Sequence, residues 1–466
     1  MRTINGKNTI VLGAGVGGIA SAALLAKQGH RVTLLEAQSF PGGRCTALDK
    51  DGFRYDFGVH MFSRGIVGPH GEVNRLLDGS LSWITRDPAA RLMAVQELDF
   101  PRDIRPLSRQ VRLAKALGVK KRNYLGAFRL FRTLLAGRRV EENDDVSLQD
   151  YVSRYTDDDK LHLFINCVSQ LYFALSHHQA SAGEFIWCFS RMFNEVAYGY
   201  PVGGGGEIPR SFLKGLEKHG GRVHFQESVK SIRVQDGRVK GVETEKGEYS
   251  ADVIVSNLGI RRTVELAGKK HFPAEYVNKA DSYKYSNSYV TIKYALDRPI
   301  IPHPVVFVIP DLPSEKIFRY LDERTVPADP YIFMPVPSNQ DPRLAPAGKQ
   351  LAIAGTAAPP GATAELCDKI IDRVHARVCE LFPGLENALR WQSRSASTDT
   401  GDLTGHPEGE AIGLAQTPDQ VGRLRPELQT PVEGLYLVGA DAGARGIGTE
   451  MASASALQLA GLLKRC

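Results

Sequence analysis

Three glycines in the spacing Gly13-x-Gly15-x-x-Gly18, with Gly17 between them, stand ahead of an acid, Glu36, eighteen residues past the last of them. That pattern suits a pyrophosphate. The phosphates need bare backbone N–H groups and a helix N-terminus aimed at them. Gly13 permits a tight turn, Gly15 lets the phosphate approach, and Gly18 lets a helix pack close to the preceding strand. Glu36 then accepts from ribose hydroxyls, and an acid there disfavours a 2′-phosphate. Alone, such a glycine spacing is weak. Between a strand and a helix, with the acid ending a second strand, it is strong.

Pro41-Gly42-Gly43-Arg44 follows at once. It moves the reading from a nicotinamide to a flavin dinucleotide: the glycines let the chain fold beneath a bound dinucleotide, and Arg44 offers a fork of donors to pyrophosphate or to a ring carbonyl. A plain turn with a surface Arg is the alternative. Near the other end, Gly434-Leu-Tyr-Leu-Val-Gly439-Ala-Asp441 precedes Gly448-Thr449-Glu450-Met451 at the start of a helix. Asp441, at a strand end, is placed to bond sugar-alcohol hydroxyls, and Gly448, Thr449 and Met451 present a helix N-terminus that favours negative charge. Four glycines in Tyr200-Pro201-Val202-Gly203-Gly204-Gly205-Gly206-Glu207 suggest backbone, Gly205 in particular, lying against a flat ring, or else a hinge.

Candidate catalytic groups are His60, which titrates near neutrality when unperturbed, and Lys293, set mid-strand in Val290-Thr-Ile-Lys-Tyr-Ala, where a charge needs a partner. A hydrogen-bonded core histidine and an outward-facing strand lysine are the competing readings. Tyr198 and Tyr200 either line an apolar substrate tunnel or belong to the core.

These residues require particular elements. Asn8–Leu12 reads as a buried strand, Ile19–Gln28 as a helix and Arg31–Leu35 as a second strand, a βαβ unit with parallel neighbours. The spacing predicts mainly helix from about 75 to 200. A helix at Ser211–His219, a strand at Arg222–Phe225 and a hairpin about Asp236-Gly237 follow, then a strand at Ala251–Ser256. Strands at Tyr289–Leu296, Ile301–Pro310 and Tyr331–Pro335 and a helix at Leu366–Leu381 read as a second sheet-based domain. A strand at Gly434–Val438 and a helix at Thr449–Leu463 close the chain. The fold class is α/β. Residues 1–70, 201–270 and 401–466 form a Rossmann-type binding domain from discontinuous segments; 71–200 form a helical insertion; 271–400 form a mixed substrate domain.

The chain has 466 residues, 42% hydrophobic and 24% charged, which suits two intimately joined globular domains. Six cysteines are scattered without a CxxC pair, so neither a metal framework nor a dithiol centre is expected, and a reducing, cytoplasmic compartment is. The apolar run Ile10–Ala26 carries the phosphate-loop glycines and is read as fold, not as a targeting segment. No nucleic-acid signature is present, and oligomeric state is not readable. Residues 101–140 hold twelve Lys/Arg against Asp103 alone, a local charge of +11 in a chain of +6. Leu, Phe and Tyr interleave with them, which points to an anionic membrane surface or to a solvated helical face.

Taken together, the N-terminal βαβ unit with Gly42-Gly43-Arg44, the Asp56-Phe-Gly58-Val-His60 stretch, the Gly-rich loop before a helix, and Gly434–Asp441 resemble phytoene-desaturase-type flavoproteins. These are the carotenoid desaturase, isomerase and saturase branch of the amine-oxidase-like FAD superfamily. The likeness is sharp over about 1–65, 198–260 and 430–466. It implies FAD bound in a long tunnel, a helical substrate domain touching the membrane and hydride passed to flavin N5. By position it implies that Gly13, Gly15, Gly18, Glu36, Gly43 and Arg44 bind FAD, that Val229 meets the adenine through backbone atoms, and that Asp441, Gly448 and Met451 lie along the ribityl chain and ring. His60 would fall on the substrate side of the ring, and Lys293 matches a strand lysine that holds a water at N5 in amine-oxidase-like relatives. With no second GxGxxG there is no dedicated NAD(P)H domain, so oxygen, a quinone or another diffusible acceptor would take the electrons unless the enzyme runs as a reductase. Three functions are thus expected in competition: dehydrogenation or isomerisation of a polyene- or isoprenoid-like substrate, amine or amino-acid oxidation of a smaller polar one, and a non-catalytic FAD-binding module.

Overall fold

A computed structural model describes residues 6–58, 60–406, 408–443 and 445–464. Its first sheet is wholly parallel. In spatial order its strands are Leu435–Leu437, Val253–Ser256, Asn8–Leu12, Arg31–Leu35 and Arg222–His224. The two strands beside Asn8–Leu12 thus come from residues 31–35 and from residues more than 240 positions downstream, and Val11 lies opposite both Leu34 and Val255. Parallel strands covered on both faces read as continuous apolar runs, and the four residues of Val253–Ser256 are all buried. Helix Val16–Lys27 packs between this sheet and the helices Glu207–Lys218 and Gly448–Leu463.

Glycine makes that packing possible at one position above all. A Cβ on Gly18 would lie 2.0 Å from the Gly13 carbonyl oxygen, so no other residue brings the helix this close to its strand. A smaller antiparallel sheet, Val229–Gln235, Arg238–Thr244 and Glu248–Ser250, hangs below. Its hairpin turns on Asp236 and Gly237, both with positive φ (51° and 71°), the conformation an Asp-Gly pair adopts with least strain.

The second large sheet has seven strands, in the order Leu389–Ser395, Ser288–Leu296, Gln350–Ala358, Ile332–Pro335, Val305–Val308, Ala90–Met93 and Glu97–Phe100. All pairings are antiparallel except Val305–Val308 with Ala90–Met93. The last two strands add to the expectation that 71–200 is mainly helical: that segment gives its helices to one core and a short hairpin to the sheet edge. Four-residue strands show too few alternations to stand out from flanking helical sequence. Helix Ala364–Leu381 covers this sheet, and Thr363 caps it by accepting from the Leu366 N–H.

Within 101–140 run two amphipathic helices, Leu107–Leu117 and Tyr124–Ala136, each ended by a glycine at positive φ, Gly118 and Gly137. Leu113, Leu117, Leu130, Phe131 and Leu134 enter the core shared with the seven-stranded sheet. Arg129, Arg132, Arg138 and Arg139 face outward, and Leu107 and Leu125 remain more than half exposed. Among the described residues no helix is long and apolar enough to cross a membrane.

Candidate functional site

The carboxyl ends of the parallel strands open into a cleft of about 440 Å³. Gly13, Gly15, Gly17, Glu36, Gly42, Gly43, Arg44, Val229, Asp441, Gly448 and Thr449 all line it. Crevices beyond the carboxyl ends of parallel strands are where such sheets hold nucleotides. Two helix N-termini face the cleft. Val16–Lys27 and Gly448–Leu463 both begin without a side-chain cap, so their first N–H groups are left for whatever fills the space.

Several buried polar atoms along this wall lack hydrogen-bond partners among the described residues: Asp441 Oδ2, Arg44 Nε and both ring nitrogens of His60. Each such atom costs about 1–3 kcal/mol when left unmet. Their concentration on one wall marks a site built to be satisfied by a polar ligand. Glu36 accepts from Ala14 N–H (2.6 Å) and Gln38 N–H (2.8 Å), and burial pushes its carboxyl upward against these bonds. Burial likewise raises Asp441, whose other oxygen, Oδ1, accepts from the Leu414 N–H. Arg44 donates to Glu410, which also accepts from His406 at 2.8 Å. Burial works to raise Glu410, but the charges of Arg44 and His406 outweigh it and hold the carboxyl low.

Sequence reading missed this Arg44–Glu410–His406 cluster, and it missed Asn257. The Asn257 side chain lies where a Cβ on Gly15 would come within 2.7 Å of its Nδ2, and one on Gly439 within 2.8 Å of its Oδ1. Its signal was available: Asn257 is the first residue past the strand Val253–Ser256, at the carboxyl edge of the sheet. His406 and Glu410 sit in irregular chain after helix Ser397–Thr404, where no periodicity points to them.

Three residues are corrected. Gly18, expected to bind FAD, does not line the cleft: it lets the helix pack against the Gly13 turn. Gly205 does not touch the cleft. Its N–H donates to Asp56 Oδ1 (2.8 Å), its carbonyl accepts from Cys45 Sγ, and a Cβ there would meet Phe62 and Asp56. The glycine run is needed to wrap backbone round a buried carboxyl, which burial pushes up to about 6, and not to lie on a ring. Met451 is also off the wall: its sulfur accepts from Arg425 Nη1, while its neighbours Thr449, Glu450 and Ala452 line the cleft.

His60 lines the cleft with a ring held neutral, burial and the Lys293 charge together pressing its pKa down to about 3. Lys293 is fully buried. Its Nζ donates to Thr291 Oγ1 (2.7 Å) and to Ser395, both cleft-lining residues, and stands 5.5 Å from the centre of the Phe57 ring. Burial lowers its pKa to about 7. Tyr198 and Tyr200 line a second cavity of about 130 Å³, walled by Phe62, Leu92, Phe164, Phe189, Phe193 and Phe307 among others. It meets the cleft at His60, Met61, Leu171 and Phe333, which belong to both walls. Tyr200 donates to Asp56.

The sequence profile of the family described as flavin containing amine oxidoreductase matches residues 16–462. The zeta-carotene-forming phytoene desaturase of Myxococcus xanthus is 27% identical, over 93% of this chain and 90% of its own. The chloroplastic prolycopene isomerase of Daucus carota is 26% identical (93% and 76%), and the all-trans-retinol 13,14-reductase of Danio rerio 24% (93% and 82%). Among solved structures, an oxidoreductase from Methanosarcina mazei superposes with a TM-score of 0.77 at 22% identity (97% and 99% covered). A putrescine oxidase bound to putrescine does so with 0.73 at 14% (99% of each chain). At those identities the two structures speak to the fold alone.

Proposed function

On the premise that this chain belongs to the flavin-containing amine oxidoreductase family and is an FAD-dependent oxidoreductase, we propose that it acts on a hydrophobic, polyene- or isoprenoid-like substrate by hydride transfer to or from flavin N5. One observation carries the reading: a glycine-built cleft of mixed polar and apolar lining and an apolar, aromatic-walled chamber share the single wall His60–Met61–Leu171–Phe333. A polar dinucleotide suits the first and an apolar chain the second. The relatives named for phytoene, prolycopene and retinol, all apolar polyenes, support the same substrate class.

The residues that would hold FAD are those of the cleft. Gly13, Gly15 and the N-terminus of helix Val16–Lys27 receive the pyrophosphate, Glu36 the adenosine ribose, Val229 the adenine through its backbone, Asp441 Oδ2 the ribityl chain, and Gly448–Thr449 the ring edge. When bound, FAD supplies the two-electron acceptor or donor. The chain's own part is positional. Phe62, Phe189 and Phe193 exclude water from the chamber, and neutral His60 stands where the chamber meets the cleft, with one ring nitrogen free to donate and the other to accept. Lys293, with a pKa near neutrality, holds a proton or a water beside Thr291 and Ser395.

A second reading, oxidation of a small amine, is favoured by that same buried lysine. Anaerobic titration of the FAD-loaded enzyme with matched polyenes and amines separates the two. Bleaching or spectral binding by polyenes supports the first, and a response to amines alone overturns it. Residues 101–140 are proposed to rest on an anionic membrane, from which an apolar substrate would enter. The exposed Leu107 and Leu125 beside the outward arginines support this.

A further inference from the structure

The chamber is apolar along most of its wall, and two of its tyrosines are provided for. Tyr172 donates to Met192 Sδ (2.7 Å), and Tyr200 to Asp56. Tyr198 is different. Its Oη is buried and has no hydrogen-bond partner among the described residues. Burial keeps this phenol protonated well past its ordinary range, so it is a donor in want of an acceptor.

The charges at that end bear on what the acceptor is. The Arg102 guanidinium lies 5.7 Å from the centre of the Tyr198 ring, and Arg109, Asp87 and Asp103 complete the charged groups acting on it. The acids are engaged. Asp87 accepts from the Arg102 N–H, and Asp103 pairs with Arg105. Arg109 donates to the Asp103 carbonyl. With Arg86 and Arg105 counted, four cations face two anions at this end, and the buried Arg102 Nε has no hydrogen-bond partner among the described residues, so an oxygen acceptor suits it whether neutral or a carboxylate. Arg86, also on the chamber wall, spends one donor on the Gln340 carbonyl (2.7 Å).

We infer that the chamber is built for an apolar substrate with an oxygen function at one end, a hydroxyl, carbonyl or carboxylate, which accepts from Tyr198 Oη at a distance from the reacting bond. This inference rests on the polyene- or isoprenoid-type reading above. It adds that a pure hydrocarbon is the poorer ligand. A buried hydroxyl that meets its partner only in one ligand discriminates strongly against the ligand lacking it.

The experiment measures dissociation constants on FAD-loaded enzyme from the absorbance change of the polyene itself. Three polyenes of equal length are compared: a hydrocarbon, one with a terminal hydroxyl or keto group, and one with a terminal carboxylate. The wild type should bind the two oxygen-bearing compounds about tenfold more tightly than the hydrocarbon, the equivalent of about 1.4 kcal/mol. Tyr198→Phe should lose that preference, leave hydrocarbon binding unchanged, and keep the flavin spectrum. Where turnover is observed, KM should move and kcat should not. Equal binding of all three by the wild type, or an equal loss for all three in Tyr198→Phe, overturns the inference and leaves the polyene reading intact. Binding of none of the three, with binding of amines, overturns both.

Discussion

The cleft and the chamber touch at four residues, yet they are made of different material. The cleft is made of backbone: glycines at 13, 15, 17, 42, 43 and 448, two uncapped helix N-termini, and a few acids at strand ends. The chamber is made of side chains drawn from residues 60 to 340, most of them aromatic or aliphatic, with no spacing in common. Backbone sites tolerate almost nothing because a Cβ has nowhere to go. Side-chain sites repack, so their substitutions act by degrees.

The largest effect therefore belongs to the cleft. Gly15→Val places its first carbon 2.7 Å from Asn257 Nδ2 and the rest of its branch in the phosphate path. The purified protein should be colourless; a yellow one, with flavin absorbance near that of the wild type, would show that the loop does not carry the phosphates. Next comes Asp441→Ala, which removes the orphan Oδ2 and should weaken FAD reconstitution of apoprotein about tenfold to a hundredfold, as expected for a hydrogen bond to a charged group. Unchanged affinity would mean that another group meets the sugar alcohol.

The same division explains what the sequence made readable. The parallel sheet, both helices of the cleft and its glycines, Glu36 and Asp441 could be read because each depends on short-range rules: a glycine spacing, an acid ending a strand, an Asp-Gly turn. Glu410 and His406 escaped because they reach Arg44 across more than 360 positions from a stretch without periodicity. The hairpin Ala90–Met93 and Glu97–Phe100 escaped for the opposite reason, being too short to show a period inside helical surroundings. Gly205 was misread because a glycine run reports close approach of backbone to something. Here the something is Asp56, a carboxylate of the protein itself. Only the chamber's existence, through Tyr198 and Tyr200, was legible; its walls were not.

Lys293 lies behind the cleft wall, bonded to Thr291 and Ser395, and tests where the cleft's chemistry ends. Buried, with a folded pKa of about 7 against an ordinary value near 10.5, it binds fewer protons folded than unfolded between those two values. Stability must then rise with pH across that window, because the unfolded state holds the extra proton there. Lys293→Met removes the dependence, so the difference in Tm between wild type and variant should shift in favour of the wild type from pH 7 to pH 10. The variant should also slow flavin reduction or reoxidation and flatten the pH profile of that rate near 7. If both rates and their pH profiles match the wild type, the lysine serves only to bond Thr291 and Ser395, and the cleft's chemistry stops short of it.

The smallest effects belong outside both regions, on the outer face of helix Tyr124–Ala136 and the chain just past it. Arg129, Arg132, Arg138 and Arg139 are exposed and make no contact with cleft or chamber, so neutralising them leaves the flavin spectrum as it is. Each charge near an anionic surface is worth about 1 kcal/mol at most, and salt screens it within about 8–10 Å. Single substitutions to Gln should therefore weaken co-sedimentation with anionic vesicles about two- to fivefold, with the effects adding across the four sites and fading as salt is raised. Neutral vesicles should show no difference, since there the exposed Leu107 and Leu125 act alone. Equal co-sedimentation of the fourfold variant and the wild type would make this a solvated face. The chamber would then have to receive its substrate from solution, and the case for an apolar one would rest on the chamber's walls.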